Sequence, residues 1–471
     1  MSVALGPTLR FAAVLGAVAL LGGCATVSND GGVSDVSALT QQRTGQALAE
    51  TRSPENRQSN AEAASKLLAA PLTADSAVQL AFLNNRALQA SLAELGISEA
   101  DFVQAGRIRN PGISFARLRG GDTTEIDRSV MFDVIGLLTL PLRSGIERNR
   151  FEQAKFVAAG EAVRLASDTR RAFFTAVAAE QTVGFATQVV TAAQASAELA
   201  QLQAKVGNWS KLDKAREQAF YADATTQLAR ARHAATSSRE QLIRLLGLWG
   251  TDIAFKLPDR LPDLPARPTE ASSLEKLAME QRLDVQLATR DVSATASALG
   301  LTKATGFINV LDAGYANKSV SGQPRQNGYE ISLELPIFDW GSARRARAQA
   351  SYMVAVHRTA AVAIRARSEV REAYSAYRTT YDIAKHYRDH VVPLKKQISG
   401  EVLLRYNGML ASVFELLADA RDQVTSVNDA IASQRDFWIA ETALQAAVNG
   451  SGGYASQPVA TPPAASTAAA H

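Results

Sequence analysis

The sequence predicts a mainly α-helical protein with a small β part, built as a tandem repeat of one unit: a helix, two β-strands and a long α-helical hairpin. Three observations favour this fold class. A strand-to-helix junction occurs twice, helical patterns run without proline for roughly 60 residues, and aromatic residues make up only 6% of the 471 residues. Few aromatics and abundant alanine are typical of thin helical layers.

The duplicated strand-to-helix junction is the clearest sign of an internal repeat. The first copy, residues 132–145, contains Leu-Thr-Leu-Pro, and the second, residues 330–341, contains Leu-Glu-Leu-Pro roughly 195 residues later. Each copy ends at a glycine that precedes a long helical pattern. Because self-similarity at a fixed separation indicates repeated units, we divide the chain into a first repeat at 72–257, a Pro-rich extended connector at 258–269 and a second repeat at 270–449.

The first repeat is predicted to fold as one helix, two strands and a helical hairpin. Thr73 is a candidate N-cap, and apolar side chains recur at helical spacing after it. The strands show alternating patterns on either side of a Gly-containing loop, and Gly247 follows the last helix as a stop signal. The predicted elements are a helix at 73–106, strands at 113–119 and 129–140, and helices at 144–206 and 211–246.

The second repeat has the same order, and one of its strands has a two-faced pattern. Charged or hydroxyl residues line one face of this strand, and the other face is formed by Tyr329, Ile331, Leu333 and Leu335. Such a strand fits either a half-solvated sheet on a protein core or a transmembrane barrel with lipid outside and water inside. The predicted elements are strands at 307–317 and 329–335, a helix at 342–406 with a kink at Pro393, a break at 407–408, and a helix at 412–448.

The hairpins and strands predict an oligomer, because one chain supplies too little of either. Alanine-rich helices, such as residues 154–166, allow close packing but bury little apolar area per residue. Four strands cannot close a barrel, and an open sheet would leave unpaired backbone groups in lipid. Three chains under cyclic symmetry would supply twelve strands and complete a helical wall. The predicted assembly is a homotrimer with a 12-stranded β-barrel.

The N-terminus has the pattern of a lipoprotein signal peptide. Arg10 precedes an apolar run at 11–21, which is too short to cross a bilayer as a helix, and Leu-Gly-Gly-Cys follows. This motif resembles the bacterial lipobox, which implies a signal peptide at 1–23, cleavage before Cys24 and acylation of that cysteine. By the bacterial sorting rule, Ala25 after the cysteine implies the outer membrane. An unmodified thiol in an uncleaved leader is the alternative.

Two segments of biased composition flank the repeats. Residues 24–71 are rich in Ser, Gln, Asn, Gly and Ala and contain few large apolar side chains. We therefore expect a lipidated N-terminal tether that cannot fold independently. Residues 450–471 form a tail of Gly, Pro, Ala, Ser and Thr, which composition predicts to be disordered.

On these features the chain resembles the TolC-like outer membrane factor family, specifically its lipoprotein branch. The resemblance covers residues 72–450 and rests on the duplicated order of helix, two strands and long hairpin. Residues 335–341, Leu-Pro-Ile-Phe-Asp-Trp-Gly, are similar to the family's strand-to-helix junction. Arg-Tyr-Asn-Gly at 405–408, followed by Phe-Glu-Leu-Leu at 414–417, is similar to its hairpin turn.

The resemblance implies an assembly and a function. Three chains would form an outer-membrane barrel continued by a periplasmic α-helical tunnel, as the channel component of a tripartite efflux or type I secretion-like system. Substrates would pass passively to the exterior from an inner-membrane efflux pump and a periplasmic adaptor (membrane fusion) protein. Outer-membrane lipid would surround the barrel strands.

The resemblance also implies two sets of site residues. The hairpin tips that would meet the adaptor are Gly207, Asn208, Trp209, Asn407 and Gly408. The helix after the second tip would narrow the periplasmic entrance, and Glu415, Asp419 and Asp422 lie at i, i+4 and i+7 on one of its faces. Threefold symmetry would make these residues rings of carboxylates that attract cations. The alternative is a solvated outer face paired with Arg421.

The sequence does not favour an enzyme, a metal site or a nucleic-acid interface. Asp382, His386 and His390 stand four apart on a helix but lack the glutamate of a His-Glu-x-x-His arrangement. No Gly-x-Ser-x-Gly elbow or phosphate loop occurs, and the net charge of +4 is not gathered in a basic run. We expect no catalysis, no cofactor and no nucleic-acid partner. The second functional hypothesis is a lipid-anchored periplasmic coiled-coil scaffold without a pore.

Overall fold

The computed structural model describes residues 26–49, 53–270, 273–304, 311–333, 338 and 340–450. The helices in this part of the chain are α1 (Val33–Thr44), α2 (Pro54–Leu68), α3 (Ala74–Asn84), α4 (Arg86–Ala105), α5 (Val134–Lys205), α6 (Lys211–Leu246), α7 (Leu274–Gln281), α8 (Leu283–Ala304), α9 (Ser342–His386), α10 (Val392–Asn407) and α11 (Val413–Asn449). The strands are β1 (Gly112–Gly120), β2 (Thr123–Asp133), β3 (Leu311–Val320) and β4 (Gln326–Leu333). The mainly α-helical fold class with a small β part is confirmed, and both repeats follow the predicted order of elements.

Helix starts follow the capping side chains that the sequence offers. Thr73 Oγ1 accepts a hydrogen bond of 3.1 Å from the backbone N–H three residues later, which confirms Thr73 as a cap. Ser210 and Ser412 cap α6 and α11 in the same way, at 3.1 and 3.3 Å. Asn85 caps α4 directly after the end of α3. The single helix predicted at 73–106 is therefore two helices.

The second strand of the first repeat is shorter than its pattern predicts. Strand β2 ends at Asp133, so the predicted strand at 129–140 is wrong beyond that point, where the chain enters α5. Asp133 caps this helix, because its carboxylate accepts a 2.6 Å hydrogen bond from the Gly136 backbone N–H. The equivalent position of the second repeat is Gly328, which offers no cap, and β4 continues past it. The duplicated junction thus differs in secondary structure between its two copies.

The strands of the second repeat lie close to their predicted positions. Strand β3 begins at Leu311, and residues 307–310 of the predicted strand lie outside the described residues. Strand β4 includes Tyr329, Ile331 and Leu333 as predicted, whereas Leu335 also lies outside the described residues.

The long helical hairpins are present in both repeats. Helix α5 has 72 residues, about 110 Å at 1.5 Å per residue, and α6 ends at Gly247, which has the left-handed conformation expected of a stop signal. In the second repeat the kink expected at Pro393 is a π-helical turn, Tyr387–Val391, between α9 and α10. Proline has no backbone N–H to continue the hydrogen-bond ladder, so a local change of helix type fits this position. No helix in the described ranges is both long and apolar enough to cross a membrane.

The four strands form one antiparallel sheet in the order β1-β2-β3-β4. The central pairing of β2 with β3 joins the first repeat to the second, since each strand belongs to a different repeat. Strands β1 and β4 are the edges of the sheet, and each pairs with one neighbour within the described residues.

Two compact units divide the chain, and each contains segments of both repeats. The first unit takes its described residues from 1–63, 85–162 and 283–364, and the second takes them from 64–84, 163–282 and 365–471. The sheet belongs to the first unit. The predicted repeats at 72–257 and 270–449 therefore describe the duplication of the sequence, and each compact unit is built from parts of both copies.

The second unit has an aromatic core at the Pro-rich connector. Phe437 is fully buried, and its ring centroid lies 5.6 Å from that of Tyr377 and 5.7 Å from that of Tyr381. The Tyr381 hydroxyl donates to the Pro265 carbonyl at 3.1 Å, and Leu261 of the connector is also buried. The connector has no helix or strand, as predicted, and it is held by these contacts.

The segment predicted to be a tether contains two helices, α1 and α2. Within the first unit, Val36 of α1 is fully buried, and the Ser28 backbone N–H donates to Glu99 of α4 at 2.8 Å. Lys155 of α5 donates to Asp35 of α1 at 2.7 Å. Burial favours a lower pKa for Lys155, but its hydrogen bonds to Asp35 and Glu152 outweigh burial and raise the pKa. A segment that cannot fold alone is thus ordered by packing on α4 and α5.

Candidate functional site

The exposed apolar face of the sheet is the first candidate site. Directly paired residues of antiparallel strands share a face, so the register sorts side chains into rows across the sheet. One row runs through all four strands, because Ile113 pairs with Val130, Val130 with Tyr315, and Tyr315 with Tyr329. Tyr329 is 87% exposed and Ile113 is 79% exposed. Large apolar side chains therefore lie on a surface that the first unit leaves uncovered.

The apolar face extends toward the end of the sheet where the strands meet helices. Phe132, Ala313 and Ile331 form the next row, and Leu311 pairs with Leu333 in the row after that. Ile331 and Leu333 are both exposed. The two-faced pattern predicted for β4 is confirmed at its described positions.

The opposite face of the sheet is polar. Glu330 lies on it, since its position alternates with those of Tyr329 and Ile331. Ser114 and Ser129 share a hydrogen bond of 2.7 Å there, and Lys318 forms an ion pair with Glu125 across β3 and β2. Near its helix end the sheet therefore separates an apolar surface from a hydrogen-bonding, charged surface. Farther from the helices, the next row on the apolar side becomes mostly polar and contains Phe115, Arg128, Asn317 and Asn327.

The first hairpin tip is a helix C-terminus closed by a left-handed glycine. Gly207 has φ +80°, and the Asn208 backbone N–H donates to the Gln203 carbonyl at 3.0 Å. With the Gly207 N–H donating to Ala204, these bonds form a Schellman motif. Trp209 follows, half-buried. The predicted tip residues of the first hairpin thus form the turn between α5 and α6.

The second hairpin tip has the same motif, and its left-handed residue lies one position after Gly408. Gly408 has φ −82°, and the left-handed residue is Met409, with φ +58°. The Leu410 N–H donates to the Arg405 carbonyl at 2.7 Å, and the Met409 N–H donates to the Tyr406 carbonyl at 3.0 Å. Gly207 therefore corresponds in conformation to Met409, which directly follows the predicted tip residue Gly408. Asn407 and Gly408 are the last residues of the helical side of this turn.

Both tips carry exposed apolar side chains that the sequence analysis did not single out. Met409 is 94% exposed, and Leu410 beside it is also exposed. Leu202 and Val206 are exposed before the first turn. The sequence signal for these residues is a large apolar side chain near the end of a helix, where few other residues of the chain can cover it.

The three carboxylates of α11 have different surroundings. Asp422 is exposed and pairs with Lys395 of α10 at 3.0 Å, and Glu415 is exposed in the first turn. Asp419 is buried, and its Oδ2 atom has no hydrogen-bond partner among the described residues. The Arg421 guanidinium lies 5.3 Å from the Phe220 ring centroid, and the described residues show no ion pair between Arg421 and these carboxylates. The position of this face at the periplasmic entrance stays a prediction, as does the alternative of a solvated outer face.

The helical histidine pair does not form a metal cluster. His386 and His390 have ring centroids 5.3 Å apart, and Asp382 pairs with Arg378 at 3.7 Å. Within the described residues, no group of three or more His, Cys, Asp or Glu side chains is arranged to hold a metal ion. The lipid attachment residue Cys24 lies outside the described residues, so its acylation stays a prediction.

Solved outer-membrane channels have this fold. The Campylobacter jejuni CmeC outer membrane channel matches with a TM-score of 0.65 and 16% identity, over 88% of this chain and 92% of that one. The outer membrane protein VceC of Vibrio cholerae matches with a TM-score of 0.68 and 14% identity, over 80% of this chain and 96% of that one. The chain therefore has the TolC-like fold of outer-membrane channel proteins.

One curated relative is similar in sequence. The chain is 24% identical over 274 residues to the cobalt-zinc-cadmium resistance protein CzcC of Cupriavidus metallidurans. The match covers 58% of this chain and 64% of CzcC, so it spans less than two thirds of that relative. No family model matches the chain.

Proposed function

We propose that the chain is the outer-membrane channel component of a tripartite efflux or type I secretion-like system, acting as a homotrimer. The observation that carries this proposal is the four-stranded sheet, which has an exposed apolar surface on one face near its helix end, a polar opposite face and two edge strands. A sheet of this kind is stable in lipid only when its edges are paired, because unpaired backbone groups are costly there.

Cyclic assembly provides that pairing. The strands run antiparallel in chain order, so β4 of one copy is antiparallel to β1 of the next when the copies are arranged in a ring. Three copies give twelve strands, an even number that closes an antiparallel barrel. The Tyr329 row then faces lipid, and the Glu125–Lys318 pair faces a watery lumen.

The hairpin tips are the proposed contacts for a periplasmic adaptor, which links the channel to an inner-membrane pump. Gly207, Asn208, Trp209, Asn407 and Gly408 form the two turns, and exposed Met409 and Leu410 extend the second turn. Exposed apolar residues at the end of a polar helical hairpin support a protein contact there, because such side chains gain stability when a partner covers them.

The periplasmic entrance is the proposed location of Glu415, Asp419 and Asp422. Glu415 and Asp422 are exposed, and Asp422 pairs with Lys395, so threefold symmetry would make Glu415 the ring of uncompensated charge at the lumen that favours cations. The cation-to-anion permeability ratio of Glu415→Gln in planar bilayers tests this assignment. Glu401→Gln, an exposed glutamate of the neighbouring helix α10, is the matched control. A ratio that falls equally in both variants would remove Glu415 from the aperture.

Divalent metal cations are the proposed exported substrates. The name of the relative CzcC refers to cobalt, zinc and cadmium resistance, and the carboxylates of α11 offer the charge that attracts cations. Deletion of the gene should lower resistance to these metals and leave resistance to dyes and antibiotics unchanged. The opposite pattern would contradict this substrate class while leaving the channel itself in place.

A lipid anchor at Cys24 completes the proposal, and it places the N-terminal segment at the outer membrane. Mass spectrometry of the mature N-terminus should show three acyl chains on the cysteine, since one chain gives only reversible membrane binding. An intact leader or an unacylated N-terminus would contradict the anchor.

Channel formation is tested by ion conductance with a pair of matched variants. The purified trimer should give stepwise currents in planar bilayers. Ile331→Lys puts a charge on the apolar face of each copy, where a lysine costs about 2–4 kcal/mol at the bilayer midplane and about 0–1 kcal/mol near its interfaces, so it should lower the frequency of insertion. Ser332→Lys puts the same charge on the polar face and should retain conductance. Trimers of the unaltered chain that never conduct, with or without adaptor, would favour the scaffold without a pore.

A further inference from the structure

A charged cavity in the first unit has no role in the proposed conduit. It has a volume of about 620 Å³ and lies between the end of α4, the loop before β1 and the early turns of α5. Its charged lining residues are Asp101, Arg107, Arg109, Arg143, Glu147 and Arg150. Four arginines against two carboxylates give the cavity an excess of positive charge.

Two of the four arginines are available for a ligand. Arg109 pairs with Asp133 at 3.3 Å, and Arg150 pairs with Glu147 at 2.5 Å. The guanidinium groups of Arg107 and Arg143 form no ion pair or hydrogen bond among the residues that the structure describes. The guanidinium group presents five N–H donors in a fork that matches the oxygens of a phosphate or carboxylate. The cavity is therefore suited to an anion with several oxygens.

The cavity lies beside the apolar surface of the sheet. Strand β1 begins at Gly112, two residues after the lining residue Asn110, and exposed Ile113 follows at once. On the α5 side, exposed Leu138 and Leu142 precede the lining residue Arg143 by less than two helical turns. In a bilayer, the boundary between an apolar surface and a charged one is the level of the lipid phosphates.

We propose that this cavity binds the phosphate of an anionic glycerophospholipid through Arg107 and Arg143. This inference rests on the proposed insertion of the sheet into the outer membrane. The lipid's acyl chains lie along the exposed apolar side chains that flank the cavity. A headgroup that carries a choline cation is disfavoured, because it adds positive charge beside the unpaired arginines.

Native mass spectrometry of the full-length protein in a zwitterionic detergent tests the site with three probes: dihexanoyl phosphatidylglycerol, dihexanoyl phosphatidylcholine and inorganic phosphate. We expect phosphatidylglycerol to bind about tenfold more tightly than phosphatidylcholine. Arg107→Gln/Arg143→Gln should remove this preference. The control Arg148→Gln/Arg164→Gln removes two exposed α5 charges outside the cavity and should keep the preference within about twofold.

Three results would overturn the inference. The first is equal binding of the two lipids by the unaltered protein, and the second is a control variant that loses the lipid preference as fully as Arg107→Gln/Arg143→Gln. The third is displacement of phosphatidylglycerol by inorganic phosphate at equal concentration, which would mark a free-phosphate site. Circular dichroism confirms that the variants fold. Conductance separates this inference from the proposed function: a conducting protein without lipid preference refutes the site alone, and lipid preference without conductance refutes the channel alone.

Discussion

Substitution of Arg282 tests the packing of the second unit most sharply. Arg282 lies between α7 and α8 and is 1% exposed. Its guanidinium donates to the Ala447 carbonyl of α11 and to the Glu369 carboxylate of α9, both at 2.7 Å. One buried cation thus connects the break between two helices to two further helices.

The expected cost of Arg282→Met follows from the groups left behind. Removing one partner of a buried ion pair costs about 3–5 kcal/mol, and we expect the lower end of that range here, because the Glu369 side chain that is left behind is 22% exposed. The double variant Arg282→Met/Glu369→Leu removes both charges and leaves the Ala447 carbonyl unsatisfied, which costs about 1–3 kcal/mol. The double variant should therefore be more stable than the single variant.

An exposed ion pair of the same type is the control. Arg371 and Glu275 are 3.4 Å apart, with side chains 60% and 47% exposed. Arg371→Met should cost less than about 1 kcal/mol, because exposed pairs are solvated and screened.

Hydrogen exchange in the full-length protein measures these costs as local opening, which does not depend on reversible global unfolding. Peptides that cover Arg282 and Ala447 should exchange about 100-fold faster or more in Arg282→Met. They should be close to the unaltered protein in Arg371→Met. Exchange within about fivefold of the control, or a double variant less stable than the single one, would refute the account of the buried cation.

Three further predictions concern backbone conformation and pH. Met409→Gly should stabilise the second tip by about 1 kcal/mol, because the left-handed conformation strains residues other than glycine. Gly207→Ala should destabilise the first tip by a similar amount for the same reason. Thermal unfolding measures both changes, and melting temperatures that shift in the same direction would contradict the shared motif. Gly136→Ala should cost about 0.5–2 kcal/mol, since a Cβ would collide with the capping Asp133 carboxylate, and hydrogen exchange at the start of α5 should rise. Burial raises the pKa of Glu441 above its ordinary value of 4.5, so the folded state binds the carboxyl proton more tightly than the unfolded state does. The stability that Glu441 contributes is therefore lost as the pH rises from 4.5 through the raised pKa. Glu441→Gln should therefore stabilise the protein at pH 7 and flatten the pH dependence of the melting temperature; an unchanged profile would contradict it.

Local signals in the sequence predict most helix ends correctly. Thr73 and Ser412 carry their own hydrogen-bond acceptors, and Gly247 supplies the left-handed stop, so each boundary depends on a few neighbouring residues. The alternation of β4 is equally local, and its faces are found where the pattern places them.

The boundaries that the sequence misplaces depend on competition between two local structures. Residues 134–140 are apolar and compatible with strand or helix, and the Asp133 cap decides for the helix. At the second tip Gly408 lies next to the left-handed position, which Met409 occupies, so the presence of a glycine does not identify the left-handed residue. The arginine cavity could not be predicted, because it depends on the approach of α4 and α5 and on which arginines find partners.

The sheet order explains how a duplicated sequence can specify a closed ring. Each repeat contributes one β-hairpin, and the β2–β3 pairing joins two such hairpins within the chain. In the proposed trimer, β4 and β1 of neighbouring copies join two hairpins in the same antiparallel sense. The internal pairing is thus a covalently linked example of the pairing between chains, and duplication halves the number of separate copies that the ring must collect. The two strand-to-helix junctions are therefore free to differ, as Asp133 and Gly328 do. The strand before the first junction, β2, has to pair with β3 of the same chain, whereas the strand before the second, β4, has to pair with β1 of a neighbouring chain.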